Sequence, residues 1–327
     1  MTKAGVHFLR IAISVGALVF LFWRVVSPDE TLDVLLQADL RYLLIAFLLF
    51  LSSLIIRAYR WFLLLRGLDR TVSFGRLVRL YFVGQFFSSF LPTQFGGDVM
   101  RALELTEDTQ SSAAVGTVLL DRMTGLLILF VMGLAALPFI AGDMEAWLIW
   151  LLVGVAGSGL VVGGLVLEGH LLRRVTAWLP ARLSISGQGS LAQVYAAVTG
   201  CGWKALLGAA VISVGFNLVN VVINWLCGRA VGAGVNLGYF FVATPLLSVS
   251  GLIPSIGGWG VREGVSTAVF APVGADADVA AALGISLGGV TLATGLLCGV
   301  YYGIGKLYDW EVERQPRVGH RDDHQLK

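Results

Sequence analysis

Six stretches of this chain run for about 20 residues or more with few charges, the length of apolar helix needed to cross a bilayer core. They fall at about Val6–Val26, Leu40–Leu65, Ser111–Pro138, Ala146–Leu167, Trp203–Ala230 and Val279–Tyr302. A chain built this way has to satisfy its backbone inside helices, because the bilayer offers no water to an unpaired N–H or C=O. Composition agrees: 57% of the 327 residues are hydrophobic, only 13% are charged, and mean hydropathy is +0.81. A water-soluble domain carries about 25% charge. A soluble enzyme, a disordered chain, a secreted disulfide scaffold and a nucleic-acid binder are excluded on these grounds. The three cysteines, Cys201, Cys227 and Cys298, are far apart and read as apolar packing residues.

Two further apolar stretches, Leu77–Leu105 and Tyr239–Phe270, do not fit a simple crossing. Each is interrupted by a proline and a glycine pair, with charge just beyond. Proline and paired glycines end a helix, and such a break at membrane depth is tolerated only inside protein or beside a water-filled cavity. Both stretches are expected to be re-entrant helical hairpins. The fold expected is therefore an all-α polytopic membrane protein with six transmembrane helices and two re-entrant hairpins in an inverted repeat. The repeat halves are about 1–140 and 141–308, and a charged tail covers 309–327.

Charge placement sets the expected orientation. Arg66, Arg70, Arg76 and Arg79, then Arg173, Arg174 and Arg182, then the basic tail, fall on one side. Asp29, Glu30, Asp33, Asp39, Asp143, Glu145, Asp276 and Asp278 fall on the other. The positive-inside rule puts the basic side, with both termini, in the cytoplasm of a cell whose inner membrane holds the protein. The first span follows Lys3 and Arg10 and lacks a small-residue cleavage site, so it reads as a retained signal anchor. The segment from His170 to Thr199 reads as amphipathic and interfacial.

The two interrupted stretches match each other. One reads Ser88-Ser89-Phe90-Leu91-Pro92, then Gly96-Gly97, then Arg101. The other reads Ser250-Gly251-Leu252-Ile253-Pro254, then Gly257-Gly258, then Arg262. The spacing between them is about half the chain. Each half runs helix, helix, broken hairpin, helix. Three crossings per half invert the second half relative to the first, and paired broken helices in inverted repeats mark transport sites near the midplane.

Ionisable residues inside apolar spans cost about 2.5–3.5 kcal/mol on insertion scales and need a partner or a cavity. Arg57 and Arg60 lie three apart near one helix end, able to snorkel or to offer guanidinium forks to an anionic headgroup. Asp98, Arg101 and Glu104 share a face of the first hairpin's return arm, whose N-terminus after Gly96 and Gly97 suits a phosphate or carboxylate. Asp121 and Arg122 lie too deep to snorkel. Arg262 and Glu263 repeat the logic after Gly257 and Gly258. Asn217, Asn220 and Asn224 form a polar stripe, suited to interhelical hydrogen bonds or to a headgroup lane. His320 and His324 read as part of a charged tail rather than a metal site. The Gly159/Gly163, Gly284/Gly288 and Gly295/Gly299 pairs read as close-packing motifs.

Pro92, Gly96-Gly97-Asp98 and Arg101, the Asp121-Arg122 pair and Pro254-x-x-Gly257-Gly258-x-Gly260-x-Arg262-Glu263 resemble the lysylphosphatidylglycerol synthase transmembrane, or flippase-like, family, also called UPF0104. The likeness spans about residues 6–305. It implies a helical membrane domain with paired re-entrant helices that moves lipids between leaflets. Family members typically carry Glu where Asp98 and Asp121 stand here, so the charge is kept on a shorter arm. The synthase members add a soluble transferase domain. This chain ends about 20 residues after its last span, so no synthase activity is expected.

The function expected is a lipid translocase with no catalytic residues, cofactor or metal, acting on membrane lipids with a polar or anionic headgroup. In it, Arg57, Arg60, Arg101 and Arg262 compensate the phosphate. Two alternatives stand beside it: a secondary transporter of a small anion, and a non-catalytic partner of a membrane glycosyltransferase or lipid-modifying enzyme, with self-association open in each case.

Overall fold

The computed structural model describes residues 27–91, 95–168, 190–253, 255 and 258–314; the expected first span, Pro92, Pro254, Gly257, most of the 170–199 segment and the tail from 315 lie outside them. The described residues are helical throughout, with no strand. In chain order the helices are α1 (Pro28–Leu36), α2 (Leu40–Gly67), α3 (Phe74–Phe90), α4 (Gly96–Leu105), α5 (Ser111–Ile140) and α6 (Ala146–Glu168). After these come α7 (Ser190–Gly200), α8 (Gly202–Ala230), α9 (Leu237–Ser250), α10 (Val261–Phe270) and α11 (Ala277–Arg314). Five of them, α2, α5, α6, α8 and α11, are long and apolar enough to cross a membrane. The chain is a multi-pass membrane protein. The loop expected between the first two spans holds a helix of its own, α1, set against α11 by hydrogen bonds from Ser27 and Thr31 to Asp278.

The interrupted stretches fold back on themselves. Gly97 packs on Gly84 and Ser88, Arg101 on Gly84, and Arg76 reaches Glu104 and Asp108, so α3 and α4 run antiparallel. In the second stretch Tyr239 and Phe240 at the start of α9 meet Phe270 at the end of α10. Polar side chains hold α3 and α4 together at their open end, whereas rings do so for α9 and α10.

The two halves repeat at one spacing. Leu40 and Gly202 start α2 and α8, 162 residues apart, as Ser88 and Ser250 are. These equivalent helices pack together and run antiparallel: Gly67 touches Cys201 and Ala205, Arg60 reaches Ser213, and the Asp39 backbone N–H donates to the Ala230 carbonyl. Each hairpin packs on the long helix of the other half. Phe86 and Ser89 of α3 fit against Gly299 and Gly295 of α11, while Pro245 and Phe241 of α9 fit against Gly133 of α5. The first arms α3 and α9 therefore point in opposite directions. Their tips meet the long helices at mid-length, near Asp121–Gly125 of α5 and Gly284–Thr291 of α11.

This packing sorts the helix ends onto two faces. Ser27, Leu40, Ile140, Ala230, Gly238 and Ala277 lie on one, with Asp29, Glu30, Asp33, Asp39, Glu145, Asp276 and Asp278 beside Arg41 and Arg229. Gly67, Phe74, Leu105, Ser111, Gly202 and Gly305 lie on the other, which holds more of the basic residues, Arg66, Arg70, Arg76, Arg79 and Lys204, together with Asp69, Glu104, Glu107 and Asp108.

The core is apolar and small-residue rich, and all three cysteines are buried and free. Glycines set the closeness of approach. A Cβ on Gly133 would stand 2.8 Å from Pro245 Cγ, whereas one on Gly154 would meet nothing within 4 Å. Gly133→Val is expected to lower stability by about 1–3 kcal/mol through overpacking. Gly154→Val should leave the melting temperature of the detergent-solubilised protein within about 1 °C, and thermal unfolding of both variants measures the contrast.

Candidate functional site

Where the two hairpin tips converge lies a cavity of about 320 Å³, a size that suits a small polar headgroup. Five arginines and two aspartates line it: Arg57, Arg60, Arg101, Arg122, Arg262, Asp98 and Asp121. Asn217, Asn220, Asn224, Gln85, Ser248 and Trp259 supply uncharged polar walls.

Asp121 is the hub. It is 1% exposed, on α5, and accepts from Arg60 Nε at 2.7 Å, from Arg101 Nη1 at 3.4 Å and from the Tyr81 hydroxyl. Arg60 also donates to Ser213 Oγ at 3.1 Å. Arg101 donates to Asp98 at 2.9 Å and stacks on the rings of Tyr81 and Trp61, 4.1 and 4.9 Å from their centroids. Asp98 in turn pairs with Arg122, which lies over Phe95. Glycines make this possible. A Cβ on Gly84 would stand 2.8 Å from Arg101 Cγ, and one on Gly125 would stand 2.6 Å from Arg60 Nη1.

Arg57 differs. Its guanidinium lies among Phe216, Tyr81 and Phe50, with centroids at 5.1, 5.6 and 5.8 Å. Among the described residues it forms no hydrogen bond and no ion pair, and its Nε is buried without a partner. It therefore stays at cavity depth rather than snorkelling, a cation beside rings alone.

The second hairpin repeats the arrangement with a different acceptor. Arg262 donates to the Gly284 carbonyl at 3.0 Å and to Glu263 at 3.1 Å, and lies 5.1 Å from the Trp259 ring. Its head fits where Gly288 has no side chain; a Cβ there would stand 2.2 Å from Nη2. Gly284/Gly288 is thus a seat for Arg262 and Glu263 as well as a packing motif. In the first half the hairpin arginine meets the carboxylate of Asp121. In the second it meets a backbone carbonyl at the matching turn of α11.

Of the expected site residues, Glu104 turns out to do other work, and Glu263 adds a second task to its pairing with Arg262. Glu104 points away from the cavity to Arg76, at 3.7 Å, because the return arm rotates it to the open end of the hairpin. Glu263 is fully buried and caps α10 by accepting from the Gly260 N–H at 2.6 Å, a contact that its position in the first turn favours. Gly96 is buried against Leu91, and Gly97 lines the cavity. Gly258 and Gly260 both have φ of 84°, which explains glycine at these two positions of the tip. Asn217 donates to the Gly125 carbonyl at 3.0 Å, and Asn224 to the Asn220 carbonyl at 2.7 Å, so the stripe both bonds locally and faces the cavity. Tyr81, Trp61, Ser213, Phe216 and Trp259 carry no sequence signal of their own. Only the arginines' need for partners inside apolar spans pointed toward them.

Such a site, at the convergence of two oppositely directed helical hairpins within a bundle of spanning-length helices, defines a polytopic α-helical membrane protein. The model of the lysylphosphatidylglycerol synthase TM region matches residues 7–299, and the chain belongs to that family. It is 26% identical over 159 residues to a UPF0104 membrane protein of Pyrococcus horikoshii, a match covering 47% of each chain. It is 25% identical over 325 residues to a UPF0104 membrane protein of Methanothermobacter thermautotrophicus, covering 89% of this chain and 92% of that one. The chain thus matches about half the length of the Pyrococcus protein.

Removing one partner of a buried ion pair costs about 3–5 kcal/mol, because the other charge is left uncompensated. Asp121→Asn is expected to destabilise the protein by about that amount. Arg57→Gln, which breaks no ion pair, should cost less than about 1 kcal/mol. Chemical or thermal unfolding in detergent distinguishes the two.

Proposed function

We propose that this protein is a lipid translocase of the cytoplasmic membrane, which carries an anionic headgroup through the central cavity while the apolar chains stay in the bilayer. The observation that carries the reading is the unbalanced charge of that cavity. Its arginines outnumber its carboxylates even when Glu263 is counted, and Arg57 has no carboxylate of its own. A buried cation without a counterion is costly, and an anion entering the cavity removes that cost. Guanidinium suits phosphate, which it can grip with two parallel hydrogen bonds.

The opposed hairpins support the same reading. If α2, α5, α8 and α11 cross the bilayer, tips at their mid-length make both hairpins re-entrant, one from each face. Two such fingers over one site are what alternating access requires. The basic face of the bundle then lies in the cytoplasm, by the positive-inside rule. Membership in a family named for the membrane region of a lipid synthase agrees with a lipid cargo. Transport, not catalysis, is the role proposed, since the ionisable groups of the cavity hold one another rather than flanking a nucleophile.

The test is transbilayer movement of acyl-labelled lipids in proteoliposomes. The intact protein should exceed empty vesicles for an anionic phospholipid, and Arg57→Gln should cut that rate at least tenfold while the protein remains folded. Rates equal to those of empty vesicles for every headgroup would remove the proposal.

A further inference from the structure

A second pocket, of about 680 Å³, opens on the face that holds Gly67, Ser111 and Gly202. Its wall brings together Arg70 beyond the end of α2, Gln110 to Ala113 at the start of α5, and Gln193 and Ala197 of α7. Among the described residues it shares none with the central cavity. Ser111 precedes Asp121 on α5 by about 15 Å, at 1.5 Å per residue.

The start of α5 is left open here. Its N-cap is Gln110, whose backbone is extended and whose side chain makes no cap hydrogen bond. Glutamine is not among the residues that cap well, and its amide oxygen accepts instead from Arg70 Nη2 at 3.2 Å. The first bond to the Gln110 carbonyl comes from Ala114. The N–H groups of Ser111, Ser112 and Ala113 therefore have no acceptor among the described residues. Ala113 is only 4% exposed, so water has little access to its N–H. Backbone donors left in this state are rare, because an unmet buried N–H costs about as much as a lost hydrogen bond.

Arg70 supplies the charge. Its Nε is buried without a partner, and Gln110 is what its guanidinium meets among the described residues. No carboxylate is among the described residues of the wall. Glu107 and Asp108, which precede α5, are drawn to Arg76 at 3.0 Å, and Asp69 is exposed and outside the wall. Two sources of positive potential thus act on one space: a guanidinium and the N-terminal end of a 30-residue helix. The hydroxyls of Ser111 and Ser112, with no partner among the described residues, can donate as well. Three backbone N–H groups, two hydroxyls and a guanidinium exceed what the two oxygens of a carboxylate can accept. A phosphate brings more oxygens and more charge, and a helix N-terminus suits it.

We infer that this pocket is a second anion site, which seats a phosphate group on the open end of α5 against Arg70. Its source is a lipid headgroup or a soluble phosphoester, and the recognising chemistry is the same for both. The site does not depend on the translocase reading and stands if that reading fails. A phosphate held there ties the α2–α3 connection to the helix that carries Asp121.

The experiment uses the full chain in detergent and calorimetric titration with sodium phosphate, with sodium acetate at equal ionic strength beside it. Titrations are run on the Arg57→Gln protein, so that anions drawn to the central cavity do not obscure this pocket. Phosphate is expected to bind, and acetate to bind at least tenfold more weakly. Adding Arg70→Gln should weaken phosphate at least tenfold. Adding Gln110→Asp gives the sharper contrast. A carboxylate at the N-cap meets the open N–H groups from within, so phosphate should weaken at least tenfold while the melting temperature rises. Loss of fold cannot produce that pair of changes. Glycerol 1-phosphate and phosphatidic acid, compared by native mass spectrometry on the same background, separate the two sources, counting only the binding that Gln110→Asp removes. Tighter binding of the soluble ester assigns a soluble ligand, tighter binding of the lipid assigns a headgroup, and either result keeps the site. Absence of phosphate binding overturns the inference, as does acetate binding equal to phosphate, or a phosphate affinity unmoved by Arg70→Gln or by Gln110→Asp.

Discussion

Asp121 is the charge around which the first half is assembled. A carboxylate with 1% exposure in the middle of a 30-residue apolar helix is stable only if its neighbours neutralise it. Arg60 comes from α2, Tyr81 from α3 and Arg101 from α4, so one side chain ties three helices to α5. The geometry of the first hairpin follows from this tie. Its return arm is placed by Arg101, and the contact is close because Gly84 and Gly97 let the arms approach. Asp98 and Arg122 extend the same network to the cavity edge.

The second half copies the architecture without copying the charge. Arg262 stands where Arg101 does, and Gly284 stands where Asp121 does, but the acceptor is now a peptide carbonyl. The pseudo-twofold relation of α2 and α8 therefore places an ionic network against a region of amides and hydroxyls. At the 162-residue spacing Arg57 and Arg60 of α2 correspond to Val219 and Val222 of α8, so the second half carries no arginine there. A symmetric shell thus encloses an asymmetric site, and the asymmetry is what gives the cavity distinct ends.

Much of the scaffold was legible because membrane helices announce themselves by length. The limits expected for both interrupted stretches agree with α3–α4 and α9–α10 to within three residues, since Pro and paired Gly have local consequences. Five of the six expected spans are helices of spanning length, and the other lies outside the described residues. The site was legible only in its charges. An arginine inside an apolar span signals that a partner exists, not which one: Arg60 and Asp121 are 61 residues apart, and Tyr81 looks like any other aromatic. Glu104 was misplaced because three-residue spacing puts it on the face of Arg101, yet the arm is long enough for its far end to leave the cavity and meet Arg76. Glu263 holds Arg262 at 3.1 Å as its place beside that arginine suggests, and it also caps α10, which a carboxylate in a first helical turn readily does.

The isolation of Arg57 reaches beyond recognition. Electroneutrality does not permit a surplus of guanidinium groups in a space of this size to go uncompensated, so mobile counterions from the surrounding medium will share it whenever cargo is away. On the translocase reading proposed above, loading is then an exchange of one negatively charged occupant for another. Apparent affinity will depend on the identity of the buffer salt, and chloride, sulfate and phosphate solutions will each define a different baseline for the same protein.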